Sequence, residues 1–354
     1  MFGLRKNKWI LSIFALFFAC LLCTSCGKTE KEDLSEEVKA FNASIKKSSV
    51  DTEGNSGLVI GSVNMGMNGE WFSEVMNGIR GAGKDLGVEV KMLDSEYDVQ
   101  KEAAHIDELV KEKVDAIVIS PIDVNITAQS LQKAKDAGIP IITWNTTVNT
   151  DIDAAVGVVP ADLGAGAGNY ACEYIKTHGL KDVKMFILGY TKYEIGVGRC
   201  NGFKSAIQDM VDQGVIDVVS DVSDGGETLD EGLECTNRIL KEHPEINMIW
   251  AWNQGVLHGA AQALKDAGRK DIVLLGVDMS MQLANDMLED KIDLEAVTTQ
   301  LPYNMGYKAV VNAVEVAKGN QIDKQIWIPV STYIKSDEER LKQYIENHKD
   351  LVEE

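Results

Sequence analysis

Lys135-Asp136-Ala137-Gly138-Ile139-Pro140-Ile141-Ile142-Thr143-Trp144-Asn145 reads as a helix end, the glycine that stops it, a buried strand and a polar residue closing that strand. Glycine ends helices because it accepts the left-handed backbone that a side chain resists. The same grammar returns at Lys265-Asp266-Ala267-Gly268, which precedes a strand running through Leu274-Leu275-Gly276-Val277 to Asp278. Helix, glycine and strand recur in many α/β chains, so the echo matters for its position. Each unit delivers a polar side chain, Asn145 or Asp278, to the C-terminal end of a parallel strand, where open α/β sheets bind ligands.

Outward from these units, apolar runs alternate with amphipathic stretches from Gly57 onward, the signature of parallel sheets with crossover helices. Leu58 to Val63, Val88 to Leu93, Ala116 to Ser120 and Ile139 to Trp144 form one set of predicted strands. Lys184 to Leu188, Val215 to Ser220, Met248 to Trp252 and Ile272 to Val277 form a second. Stripes such as Phe72, Val75, Ile79, Ala82 and Leu86 mark the helices between them. The expected fold class is α/β, with two similar, doubly wound parallel sheets. A length of 354 residues leaves room for two such units, each with its own core.

The N-terminus is of another kind. Arg5, Lys6 and Lys8 precede an apolar run from Trp9 to Cys23, followed by small residues and then Cys26. That is a secretory signal, and its apolar run is shorter than the roughly 20 residues a stable membrane span needs. Leu22-Cys23-Thr24-Ser25-Cys26 resembles a bacterial lipobox, although Cys23 stands where the pattern usually has Leu. The resemblance implies cleavage after residue 25 and a lipid on Cys26, with Cys20 as the competing site. Residues 26–55, rich in Lys, Glu, Asp and Ser, read as a solvated tether, within which Leu34, Val38, Phe41 and Ile45 have the spacing of a short amphipathic helix.

The formal charge of −20, or −23 once the signal is removed, repels phosphate backbones and argues against nucleic acid. Apolar residues at 45% and charged residues at 25% exclude disordered, collagenous and multispanning classes. Cys172, Cys200 and Cys235, the thiols outside the N-terminal region, are odd in number and far apart, so no disulfide framework shows, though a Cys200 to Cys235 bridge stays open. Signals for catalysis, metals and nucleotides are lacking: there is no H-E-x-x-H, no G-x-S-x-G and no complete phosphate loop, and Gly232 spoils the calcium-loop pattern of Asp221 to Gly232. Neither an enzyme nor a cofactor is expected. Gly164-Ala165-Gly166-Ala167-Gly168 reads as a small-residue helix start that permits close packing.

Several motifs in order then point to a family: Asn68-Gly69-Glu70-Trp71-Phe72, Ala116-Ile117-Val118-Ile119-Ser120-Pro121, Ile141-Ile142-Thr143-Trp144-Asn145, Arg199-Cys200-Asn201-Gly202-Phe203, Trp252-Asn253-Gln254, Gly276-Val277-Asp278 and Thr299-Gln300-Leu301-Pro302. From Gly57 to about Ile334 the chain resembles the type I periplasmic sugar-binding proteins of the ribose and galactose group, which feed ABC importers. The resemblance implies two lobes joined by three hinge crossovers: 56–159 plus 301–327, and 160–300 plus 328–354. It implies Trp71 and Phe72 against a sugar ring, Asn145 at the edge of the site, and Asn253, Asp278 and Gln300 on hydroxyls. An aromatic face covers the C–H patches of a sugar, while carboxylate and amide groups meet its hydroxyls. Phe72 also fits the core of its helix, so Trp71 is the preferred ring. A carboxylate directly after Val277 has little structural use, so removing it is expected to abolish binding and leave the ligand-free fold intact.

The departures shape the ligand. Ribose binders place Asp-Arg where this chain has Asn145 and Thr146, a further arginine where it has Val197, and an aromatic residue where it has Glu227. The Trp144-Asn145 pair looks more like binders of furanosyl signals such as autoinducer-2. With those positive groups missing and Asp278 retained, a neutral sugar, a polyol or an amino sugar is expected. The reading is an exported monomer, lipid-anchored to the outer face of the cell membrane, that passes ligand to an importer permease. The alternative is a sensor presenting an autoinducer-2-like or nucleoside ligand to a receptor kinase or chemoreceptor.

Overall fold

A computed structural model describes Thr52 and residues 54–348; the signal, Cys26 and the spacing at Leu34 to Ile45 lie outside the described residues. One sheet takes β1 (Val59–Asn64), β2 (Glu89–Asp94), β3 (Ala116–Ile119), β4 (Ile141–Trp144), β5 (Ala154–Gly157) and β11 (Gln325–Trp327), all parallel, in the order β11-β5-β4-β3-β1-β2. The other takes β6 (Val183–Leu188), β7 (Ile216–Val222), β8 (Met248–Ala251), β9 (Val273–Val277), β10 (Asp293–Thr299) and β12 (Ser331–Ile334), in the order β12-β10-β9-β8-β6-β7. There only β12 runs antiparallel, against β10. The two orders superimpose strand for strand, so β4 and β9 are equivalent, and the predicted α/β class of two doubly wound lobes is what forms.

Helices α1 (Glu70–Leu86), α2 (Val99–Glu112), α3 (Ile126–Asp136) and α9 (Pro302–Ala317) cover the first sheet. Helices α4 (Pro160–His178), α5 (Glu194–Asp212), α6 (Leu229–Glu242), α7 (Gln254–Ala267), α8 (Met281–Glu289) and α10 (Glu338–His348) belong to the second. The inner strands β3, β4, β8 and β9 are buried on both faces, as helices on both sides require, and Trp144, Trp250, Phe186 and Phe203 are the largest fully buried side chains among the described residues.

The chain passes between lobes three times: from β5 into α4, from β10 into α9, and from β11 to β12. Two of these passages end on a proline at the first position of a helix, Pro160 and Pro302, where its fixed φ and missing N–H suit the helix start. Glycines expected to permit close packing do so: a Cβ at Gly164 would lie 1.8 Å from the Arg199 carbonyl oxygen and one at Gly168 2.9 Å from that of Phe203; Gly202, not expected, does the same from the facing helix, 1.9 Å from the Ala161 oxygen. Helices α4 and α5 therefore touch backbone to backbone.

Candidate ligand-binding cleft

At the ends of the equivalent strands β4 and β9, Asn145 and Asp278 both adopt the left-handed conformation, with φ of 64° and 67°. Asn and Asp are the side chains that tolerate it best. Each residue bonds through its N–H to the neighbouring strand, Asn145 to the Val156 carbonyl at 3.0 Å and Asp278 to that of Thr298 at 2.8 Å. The backbone thus turns away from the sheet at the same point in both lobes.

Asp278 has a structural partner that sequence reasoning did not give it. Arg199, one turn into α5, donates Nη1 to Oδ2 at 2.7 Å and Nη2 to Oδ1 at 3.3 Å, and the two side chains are only 7% and 17% exposed. Arg199 Nη1 also donates to the Trp252 carbonyl at 3.1 Å, and its guanidinium lies 5.7 Å from the Trp252 ring centre. From the sequence Asp278 has little structural use and the fold is expected to stay intact without it; the bond to Arg199 adds a cost, since a buried guanidinium would lose its counter-charge. The pair is also neutral, which weakens the argument from a retained acidic charge toward an amino sugar. The missed signal was Arg199 itself, an arginine amid the small and apolar residues of α5.

Gln300, 7% exposed at the end of β10, donates Nε2 to Asp278 Oδ1 over a long 3.5 Å, and its Oε1 has no hydrogen-bond partner within the protein. Arg199, Asp278 and Gln300 thus form one polar chain. Asn253 sits apart from it: its Oδ1 accepts from Val256 N–H at 2.9 Å as the N-cap of α7, and its Nδ2 donates to the Glu227 carbonyl at 3.0 Å. One amide hydrogen is left for a ligand. Nearby, Tyr190 stacks on Trp252 at 5.0 Å, and its hydroxyl donates to Glu227 Oε1 at 2.6 Å. The Trp252 indole donates to the Gly226 carbonyl at 2.8 Å. Glu227 is thereby tied to the aromatic pair.

In the first lobe Trp71 and Phe72 open α1. Phe72 makes edge contacts with Trp71 at 5.0 Å, Tyr97 at 6.2 Å and Trp144 at 6.5 Å, as a packed ring does. Trp71 is half-buried, and its Nε1 has no partner within the protein. A cavity of about 610 Å³ brings Trp71 together with Gln300 and with Met279, the neighbour of Asp278; Phe72, Asn145, Asn253 and Asp278 are not among its lining residues. Of the two rings, Trp71 alone lines this cavity.

No described residues form a His, Cys, Asp or Glu cluster fit for a metal ion. Cys172, Cys200 and Cys235 carry free thiols, and burial pushes the Cys200 thiol up from its ordinary pKa, which makes it a poor nucleophile.

The family model for the periplasmic binding protein domain matches residues 60–321. The chain belongs to the periplasmic binding protein family. It is 26% identical over 302 residues to the ABC transporter periplasmic-binding protein YphF of Escherichia coli, covering 83% of this chain and 90% of that one. It is 25% identical over 264 residues to the ribose import binding protein RbsB of Bacillus subtilis, covering 75% of this chain and 83% of that one. The arabinose-binding protein AraP of Geobacillus stearothermophilus, 18% identical, has the same fold with a TM-score of 0.71, over 81% of this chain and 99% of that one. In this periplasmic binding protein Gln300, at the passage from β10 into α9, joins Asp278 to the cavity that Trp71 lines.

Proposed function

We propose that this protein is an exported, lipid-anchored solute-binding protein that captures a small neutral sugar or polyol between its lobes and hands it to an ABC importer permease. The observation that carries the reading is the pair of unspent groups around one cavity: the Trp71 indole N–H, a donor, and Gln300 Oε1, an acceptor. Buried polar atoms without a partner cost about 1–3 kcal/mol each, and ligand hydroxyls, which both donate and accept, answer both. Trp71 supplies the face for the ring, and Asp278, oriented by Arg199, takes hydroxyl protons beside Gln300. Asn145 and Asn253, which do not line this cavity, are kept as ligand groups on the family resemblance alone. The names of the relatives, import binding proteins for ribose and an ABC transporter component, favour delivery to an importer over a sensor. Asn145-Thr146 and Glu227 replace groups expected of a ribose binder, so a related furanose or polyol is the preferred ligand. Closure of the lobes on ligand gives the permease a form to recognise, which is gating by differential affinity.

The test is thermal unfolding of residues 54–354 with pentoses, hexoses, polyols, amino sugars and nucleosides. A sugar or polyol at 100 times its Kd is expected to stabilise the native state by about 2.7 kcal/mol. A response to nucleosides or amino acids with none to any carbohydrate would overturn the sugar assignment. Export and anchoring are tested separately by labelling cells with a radioactive fatty acid, where Cys26→Ser is expected to abolish incorporation.

A further inference from the structure

Glu70 lies between Gly69, whose φ is 96° and which offers no side-chain cap, and Trp71. Its carboxylate reaches the other lobe. Oε1 accepts from the backbone N–H of Met281 at 2.9 Å and from the Tyr344 hydroxyl at 3.0 Å. Met281 is the first residue of α8, so its N–H is one of the donors that a helix start leaves unsatisfied within the helix. A carboxylate at the positive ends of both α1 and α8 is well placed electrostatically. Burial raises the Glu70 pKa, against which the Tyr344 hydroxyl and the Met281 amide act to lower it.

The second partner belongs to a packed helix, α10. Tyr344 is buried, stacks on His348 at 3.8 Å and meets Tyr333 edge-on at 5.2 Å. Helix α10 is anchored on β12 by Arg340, which donates to the Thr332 carbonyl at 2.9 Å and to Ser331 Oγ. One turn along α1, Glu74 pairs with His348. Helix α10 lies beyond the residues 60–321 that match the family, so this contact is not part of what the match covers.

We propose that Glu70 is a positioning residue that fixes the distance between the stacking ring and the hydroxyl-binding carboxylate of the sugar site. Trp71 follows Glu70 directly, and Met281 stands three residues after Asp278. One carboxylate therefore ties the turn carrying the ring to the turn carrying Asp278, and α10 holds it there. The assignment rests on the reading of Trp71 and Asp278 as ligand groups.

The experiment compares wild type, Glu70→Ala, Glu70→Gln and Tyr344→Phe by calorimetric titration with D-ribose and L-arabinose, and by amide hydrogen exchange without ligand. Glu70→Ala is expected to weaken sugar binding about tenfold, as loss of a charged hydrogen bond implies, and Glu70→Gln, which keeps an acceptor, to restore most of it. Faster exchange at Met281 and in residues 70–74 is expected in Glu70→Ala, less in Tyr344→Phe, and near wild-type values in Glu70→Gln. An unchanged Kd in Glu70→Ala, or Met281 exchange that does not respond, would overturn the proposal. If wild type binds neither sugar, the sugar reading fails for these ligands, and exchange at Met281 still decides whether Glu70 ties the lobes.

Discussion

Asp278→Ala is expected to abolish the sugar-induced rise in Tm and also to destabilise the ligand-free protein by about 3–5 kcal/mol. The first effect follows from the place of Asp278 in the polar chain with Gln300. The second follows from Arg199, which is 7% exposed and would keep a buried charge with no counter-ion. Alanine at a φ of 67° adds roughly 1 kcal/mol of backbone strain. The two effects separate in a double variant. Arg199→Met with Asp278→Ala removes both charges, and replacing a buried pair by apolar groups is often close to neutral. Stability should largely return while sugar binding does not. Unfolding curves with and without sugar check all three proteins, and a full ligand shift in Asp278→Ala would remove Asp278 from the site.

The units that opened the sequence reading survive well because their information is local. A buried parallel strand is a run of apolar residues, a helix end is a glycine, and both lie in neighbouring positions. The predicted strands Ala116 to Ser120 and Met248 to Trp252 correspond to β3 and β8 within a residue at their ends. The strands beside the crossovers were not legible in that way. Strand β10 reads Asp-Leu-Glu-Ala-Val-Thr-Thr, β5 has only four residues, and β11 is an exposed edge of three. Their pairing depends on partners far along the chain. The site divides similarly. Asp278 could be named from the strand end it follows and Gln300 only from the family resemblance, but the bond from Arg199 spans 79 residues and that from Tyr344 to Glu70 spans 274. No periodicity encodes either one. Asn253 shows the reverse case, where a polar residue at a strand end is also the cap its next helix needs.

The helix crossing that places Arg199 gives the other large effect. Gly164→Val is expected to lower stability by about 3 kcal/mol and to weaken sugar binding at least tenfold, because the added side chain collides with the backbone that carries the arginine. The Cβ alone would stand 1.8 Å from the Arg199 oxygen and 2.7 Å from the Phe203 nitrogen, atoms that cannot rotate aside. Helix α5 must move off α4, and the crossing has no slack on its other side, where Gly202 meets Ala161 at 1.9 Å. A bidentate pair is sensitive to such a shift, since both Arg199 donors must stay aligned with Asp278. Gly87→Ala is the control. Gly87 ends α1 at a φ of 68° with nothing within 4 Å of a new Cβ, so only the left-handed penalty of roughly 1 kcal/mol applies. Unfolding and sugar titration of both variants separate the two costs. A Gly164→Val protein that loses stability yet binds sugar at the wild-type Kd would show that the ligand site does not depend on where α5 holds Arg199.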